Sequence, residues 1–199
     1  MRKAASLGTV LIFASTLALA QTLTEADRDI AAQYLGQRGD GVMAATKGLS
    51  EAQLEFKPAP ERWSVAEVLK HSALVADGIF DSVTEKLMKE PGGAADRHAA
   101  KADALVLAMV PDRSNKRQVP LPFVPKGSWT RAETLEHFEK SRARGIEFLN
   151  STPDLRAQVG HSPLGTLAAY EWLLFMAAHS ERHTKQILEV KADPNFPNS

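Results

Sequence analysis

The chain has 199 residues, 44% of them hydrophobic and 24% charged, which is ordinary for a soluble globular protein and enough for one domain with a sizeable core. Lys+Arg and Asp+Glu both total 24, so there is no basic excess to suggest nucleic acid. There are no cysteines, which excludes a disulfide framework, a thiolate nucleophile and thiolate metal ligands, so any metal must be held by nitrogen and oxygen.

Residues 1–20 read as an export signal. Arg2 and Lys3 form a positive start, an apolar run extends from Leu7 to Leu19, and Ala18 and Ala20 give a small-x-small pattern before a cut at Gln21. The alternative is a retained anchor, for which the run is short, since a full span takes about 20 apolar residues. The expected product is periplasmic or secreted, with no membrane association after cleavage. It comprises a domain over 21–192 and a flexible tail over 193–199.

Thr24 followed by Asp27 caps a first helix, whose apolar positions Ile30, Tyr34, Leu35, Val42 and Ala45 follow helical spacing up to Gly48. Gly36, Gly39 and Gly41 weaken that helix by up to about 1 kcal/mol each, and close packing against a neighbour is one reason to keep them. Residues 49–63 form a connection containing Pro58 and Pro60. Ser64-Val65-Ala66-Glu67 is a capping box that opens a second helix running to about Met88. His71 lies in its second turn, on the side of Val68, Leu74, Val75 and Gly78, and so faces the interior.

Pro91-Gly92-Gly93 ends the second helix. Residues 91–129 read as irregular apart from a short helix around Ala99 to Met109, because Pro111, Pro120, Pro122 and Pro125 forbid a continuous one. Such a segment is either a lid over a site or a solvated excursion. Thr130-Arg131-Ala132-Glu133 is another capping box, opening a third helix with the stripe Leu135, Phe138, Arg142, Ile146 and Leu149 and a stop at Pro153. The fourth helix begins after Ser162-Pro163, or near Thr166, and runs to about Lys191. No stretch shows the alternation expected of strands. The fold class is all-α: a four-helix bundle with a long irregular connection between its second and third helices.

The stripe of the fourth helix is Trp172, Phe175, Met176, His179, His183, Gln186 and Val190. His179 and His183, one turn apart, can share a metal ion, and His71 from another helix would complete a three-nitrogen site with an open position, the pattern of a catalytic metal. The other reading is that they are ordinary helix histidines, one buried and one exposed. Ser180 occupies the place where a zinc metallopeptidase of the H-E-x-x-H type carries its base, and Glu181 points off that face, which argues against such a peptidase. Gln186 is either a group orienting an imidazole or a water, or a simple bundle-end amide. His161 either lines the site mouth or is a loop histidine, His137 should be solvated, and His98 has no visible partner. Trp63 and Trp129 each precede a capping residue and read as staples, and Trp172 reads as core. The imidazoles alone do not select among zinc, nickel, copper and iron.

The run WSVAEVLKHSALV followed by HSERHTKQI resembles the DinB-like family, in the superfamily that also holds the YfiT-type metal-dependent hydrolases. Leu49-Ser50 with Leu54 and Pro58, Pro125-x-Gly127-x-Trp129, Phe138 with Arg142 and Ile146, Gly165, Glu171-Trp172-Leu173 and Gln186-Ile187 carry the rest of the likeness, over roughly residues 24–191. The resemblance implies an up-up-down-down bundle and a divalent metal, usually zinc or nickel, held by three histidines that map to His71, His179 and His183. It also implies frequent homodimers. The leading expectation is an exported metal-dependent hydrolase that activates water on a small-molecule substrate. The alternatives are a thiol-dependent transferase or isomerase, as in some relatives, and a non-catalytic metal-stabilised binding module. Those relatives' thiols are cytoplasmic, which sits poorly with export.

Overall fold

The computed structural model describes residues 23–93, 98–114, 116–152 and 154–198. The expected export signal and Pro153 lie outside the described residues. Four long helices form the bundle: α1 (Glu25–Thr46), α3 (Val65–Glu85), α5 (Arg131–Ser151) and α6 (Ala169–Lys191). Two shorter helices sit in the connections, α2 (Glu51–Glu55) and α4 (Ala99–Met109). Capping boxes start α1 at Thr24, α2 at Ser50, α3 at Ser64 and α5 at Thr130; in each, the hydroxyl accepts from an end N–H and an acid or amide three residues on reaches back. The second helix ends at Glu85, and a 3-10 turn over Leu87–Lys89 precedes Pro91.

Sidedness follows burial. On α3, Val65, Val68, Leu69, Ala73, Ala76, Ile79 and Val83 are all buried, and the helix packs on both α5 and α6. α1 likewise packs on α6 and α5. Its inner face runs through Ala31, Leu35, Gly39 and Val42, whereas Ile30 points outward. A Cβ on Gly39 would lie 2.3 Å from Arg142 Cδ, and one on Gly41 would lie 3.2 Å from Thr184 Oγ1, so both glycines mark close helix approaches. Gly36 has open space beside it, and nothing in the structure requires a glycine there.

Residue pairings set the helix directions. The Tyr170 hydroxyl donates to the Asp27 carbonyl at 2.8 Å, and Lys191 Nζ donates to the Ala45 carbonyl at 2.9 Å, so α1 and α6 run parallel. Arg28 reaches the Leu149 carbonyl and Arg142 meets Asp40 at 2.6 Å, so α5 is antiparallel to α1. Asp77 pairs with His137 and Asp81 with Arg144, so α3 and α5 are parallel. The four-helix bundle is as expected, but its order is up-down-down-up rather than up-up-down-down. Parallel neighbours require the chain to travel back along the bundle between them. The return between α3 and α5 includes α4, which packs on α6.

Two further expectations are corrected. A β-hairpin precedes α6, pairing β1 (Val159–Ser162) with β2 (Gly165–Ala168) antiparallel. Ser162 Oγ accepts from Leu164 N–H and donates to the Gly165 carbonyl, and Gly165 takes φ 100°, a left-handed conformation suited to glycine. The helix therefore starts at Ala169, later than expected. The tail turns back onto α2: Phe196 meets Phe56 edge-to-face at 5.5 Å, and Gln53 Nε2 donates to the Pro197 carbonyl at 2.9 Å. Among the described residues no helix is long and apolar enough to cross a membrane.

Candidate metal centre

α3 and α6 meet at their histidines. His71 is buried in the second turn of α3, where the Ser64 capping box sets the helix phase. His179 and His183 stand one turn apart on α6, the first half-buried and the second buried. One ring nitrogen from each of the three lies within 4.8 Å of the other two. The His71 ring centroid is 5.1 Å from that of His179 and 4.7 Å from that of His183, and Nε2 of His179 faces Nε2 of His183 at 3.0 Å. Three nitrogens on one tetrahedral ion would stand roughly 3.4 Å apart, so the spacing and the donor type fit a divalent cation.

The outer hydrogen bonds decide which ring nitrogens face inward. His71 Nδ1 lies 2.7 Å from the Phe123 carbonyl oxygen, which can only accept, so Nδ1 carries the hydrogen and Nε2 keeps its lone pair. His183 Nδ1 lies 2.9 Å from Gln186 Oε1 and donates to it in the same way. Ligating histidines commonly have such a partner on the opposite nitrogen, which fixes ring orientation. His179 Nδ1 has no hydrogen-bond partner among the described residues.

The electrostatics keep the rings neutral. Burial lowers the pKa of His71, helped by the nearby Arg182 charge, while the Phe123 hydrogen bond opposes the shift. His179 falls well below the usual histidine range, first through burial and then through His183, His71 and Arg182. His183 falls well below it too, through burial, His71, Arg182 and Arg113, against the Gln186 hydrogen bond. Neutral imidazole is the form that binds metal.

Aromatic rings border the cluster. Trp63 lies 4.8 Å from the His71 ring, so it borders the cluster rather than serving only as a staple. Phe175 stacks beside His179 at 6.2 Å, and the half-buried Trp172 leans on Phe175 at 5.5 Å. The structure takes Gln186 as a group orienting His183. Glu181 pairs with Arg38 and Lys185, away from the cluster as expected. His161 is exposed on β1 opposite Thr166. His98 stands at the start of α4 without making a side-chain cap. His137 departs from the solvated reading: Nδ1 is 2.9 Å from Asp77 Oδ2, and Trp129 stacks flat on the ring at 4.0 Å. The Phe123 carbonyl and Arg113, which bonds Gln186, were absent from the sequence reading. A backbone oxygen carries no residue signature, and Arg113 is one arginine among many.

The described residues thus form a four-helix bundle in which three imidazoles converge with no carboxylate among them, a donor set that could hold a metal ion. The chain belongs to the DinB superfamily, whose family model matches residues 34–187. YuaE of Bacillus subtilis (strain 168), an uncharacterized protein, is 29% identical over 150 residues, spanning 73% of this chain and 87% of YuaE. The solved structure of YfiT from Bacillus subtilis is described as that of a probable metal-dependent hydrolase with an unusual four-helix bundle topology. It aligns with a TM-score of 0.58 at 15% identity, covering 89% of this chain and 93% of YfiT, and so shares the fold.

Proposed function

We propose that this protein is a metal-dependent hydrolase acting on a small molecule, with His71, His179 and His183 as the ligands of a zinc or nickel ion. The observation that carries the reading is the inward-facing Nε2 pair of His71 and His183, each fixed by a hydrogen bond at Nδ1. A divalent cation held by three neutral imidazoles supplies a Lewis-acid centre that acidifies water.

The chain's own residues supply the remainder. Phe123 and Gln186 orient two of the rings, and Trp63 and Phe175 wall the cluster with apolar surface that restricts water. The test is turnover of ester, amide and phosphoester panels by zinc- and nickel-loaded protein beside His179→Ala. Hydrolysis lost in that variant supports the reading, and no difference between the two proteins on any panel removes it.

Export belongs to the same proposal. Its support is the Arg2-Lys3 start, the apolar run from Leu7 and the Ala18-x-Ala20 ending. N-terminal sequencing of the protein from a periplasmic or secreted fraction should begin at Gln21, and an intact Met1 in the cytoplasm would remove the proposal.

A further inference from the structure

The α4–α5 connection touches both outer hydrogen bonds of the histidine cluster: the Phe123 backbone accepts from His71, and the Arg113 side chain holds the Gln186 amide that accepts from His183. Arg113, four residues past the end of α4, clasps Glu189 on α6 in a fork, with Nε to Oε1 and Nη2 to Oε2 each at 2.6 Å. Its Nη1 donates to Gln186 Oε1 at 3.1 Å, the same oxygen that takes the His183 hydrogen at 2.9 Å. A guanidinium only donates, so it selects which end of the Gln186 amide faces inward. With the oxygen held there, His183 can approach only as a donor, and its Nδ1 must carry the hydrogen.

The second arm runs through Phe123. Its ring sits on Gly78, where a Cβ would lie 2.5 Å from Cε1, and its carbonyl takes the His71 Nδ1 hydrogen at 2.7 Å. Gly78 and His71 are seven residues apart, two turns along one face of α3. The missing side chain at 78 is therefore what lets the Phe123 backbone reach His71. Arg182 ties the start of the connection down, donating to the Val110 carbonyl at 3.4 Å and to the Asp112 carbonyl.

We propose that Arg113 and Gly78 are positioning residues of the three-histidine centre. Arg113 acts through Gln186 on His183, and Gly78 acts through Phe123 on His71, so that one connection presets both rings as Nδ1–H tautomers. This rests on the metal-centre reading above. By reciprocity, a cation in the centre holds the connection onto α3 and α6.

Two measurements on the full chain test it. Long-range proton–nitrogen spectra of metal-free protein should show His71 and His183 as single Nδ1–H tautomers. Arg113→Ala should mix the tautomers of His183 and leave His71 unchanged, while Gly78→Ala should do the reverse. Calorimetric titration with zinc should show each variant binding roughly 10–100-fold more weakly than wild type. Arg113→Ala combined with Gln186→Ala should bind no more weakly than Gln186→Ala alone, because both act through one amide. Phe123→Ala covers the case in which Gly78→Ala fails to fold, since it removes the ring anchor without adding volume. Wild-type tautomers and affinity in Arg113→Ala, together with either Gly78→Ala or Phe123→Ala, would overturn the proposal and leave the metal centre standing. A wild-type protein that takes up no zinc would overturn both.

Discussion

Arg156 and Glu171 form a buried ion pair, with Arg156 Nη1 donating to Glu171 Oε1 at 2.7 Å and Glu171 fully shielded from solvent. The other Glu171 oxygen accepts from the Ala168 N–H at 2.6 Å, where the hairpin turns into α6. Arg156 also grips both Asp103 oxygens on α4, lies 3.7 Å from Asp27 on α1, and stacks over the Tyr170 ring at 4.2 Å. Four elements are thus tied at the start of the helix that presents His179 two turns further on.

Glu171→Ala should therefore destabilise the protein by about 3–5 kcal/mol, the cost of breaking a buried pair by removing one partner. Asp103 and Asp27 still face Arg156, which places the expected loss at the lower end of that range. Urea unfolding of the variant checks this, and a shift under about 1 kcal/mol would mean that the pair contributes little.

Metal should stabilise the fold by mass action. At a free zinc concentration 100 times the dissociation constant, stability should rise by about 2.7 kcal/mol, and alanine at His71, His179 or His183 should abolish the rise. Thermal melts with and without zinc measure it directly.

The metal-free protein should lose stability in mild acid. Burial, seconded by neighbouring positive charge, holds the pKa of His71, His179 and His183 below the ordinary value of 6.5. The unfolded chain protonates these rings as pH falls through 6.5 and the folded chain resists, so unfolding takes up protons. Their contribution to stability is complete above pH 6.5 and falls below it by up to about 1.4 kcal/mol per pH unit for each histidine. Urea midpoints at pH 7.5, 6.5 and 5.5, compared with those of His183→Ala, isolate the effect. The variant should show the shallower slope.

Phe196→Ala should cost about 1–2 kcal/mol, because it removes an edge-to-face ring pair with Phe56 and the partly buried ring that makes it. A variant as stable as wild type would show that the tail's contact with α2 contributes nothing.

The helices were legible because their starts carry strong local chemistry. Ser64 with Glu67 and Thr130 with Glu133 place the first turns of α3 and α5, and the phase that follows puts His71 inside. The histidine pair was legible because i and i+4 share a face wherever α6 begins. What escaped were features that depend on partners distant in sequence. Two four-residue strands are too short to establish an alternation, and the Ser162–Gly165 turn reads equally as a helix start. Phe196 is a lone aromatic in a polar tail until Phe56 is placed beside it. Helix direction depends on whether a connection turns back or crosses over, and only pairings such as Tyr170 with Asp27 and Asp77 with His137 settle it. His137 read as solvated because neither Asp77 nor Trp129 is near it on α5.

The three-histidine metal centre is tested most simply by the metal content of the protein purified without chelator or nickel resin, beside the His71→Ala and His179→Ala variants. Wild type should carry about one divalent ion per chain and either variant none. A wild-type protein that holds no metal, even after incubation with zinc and nickel, would contradict it.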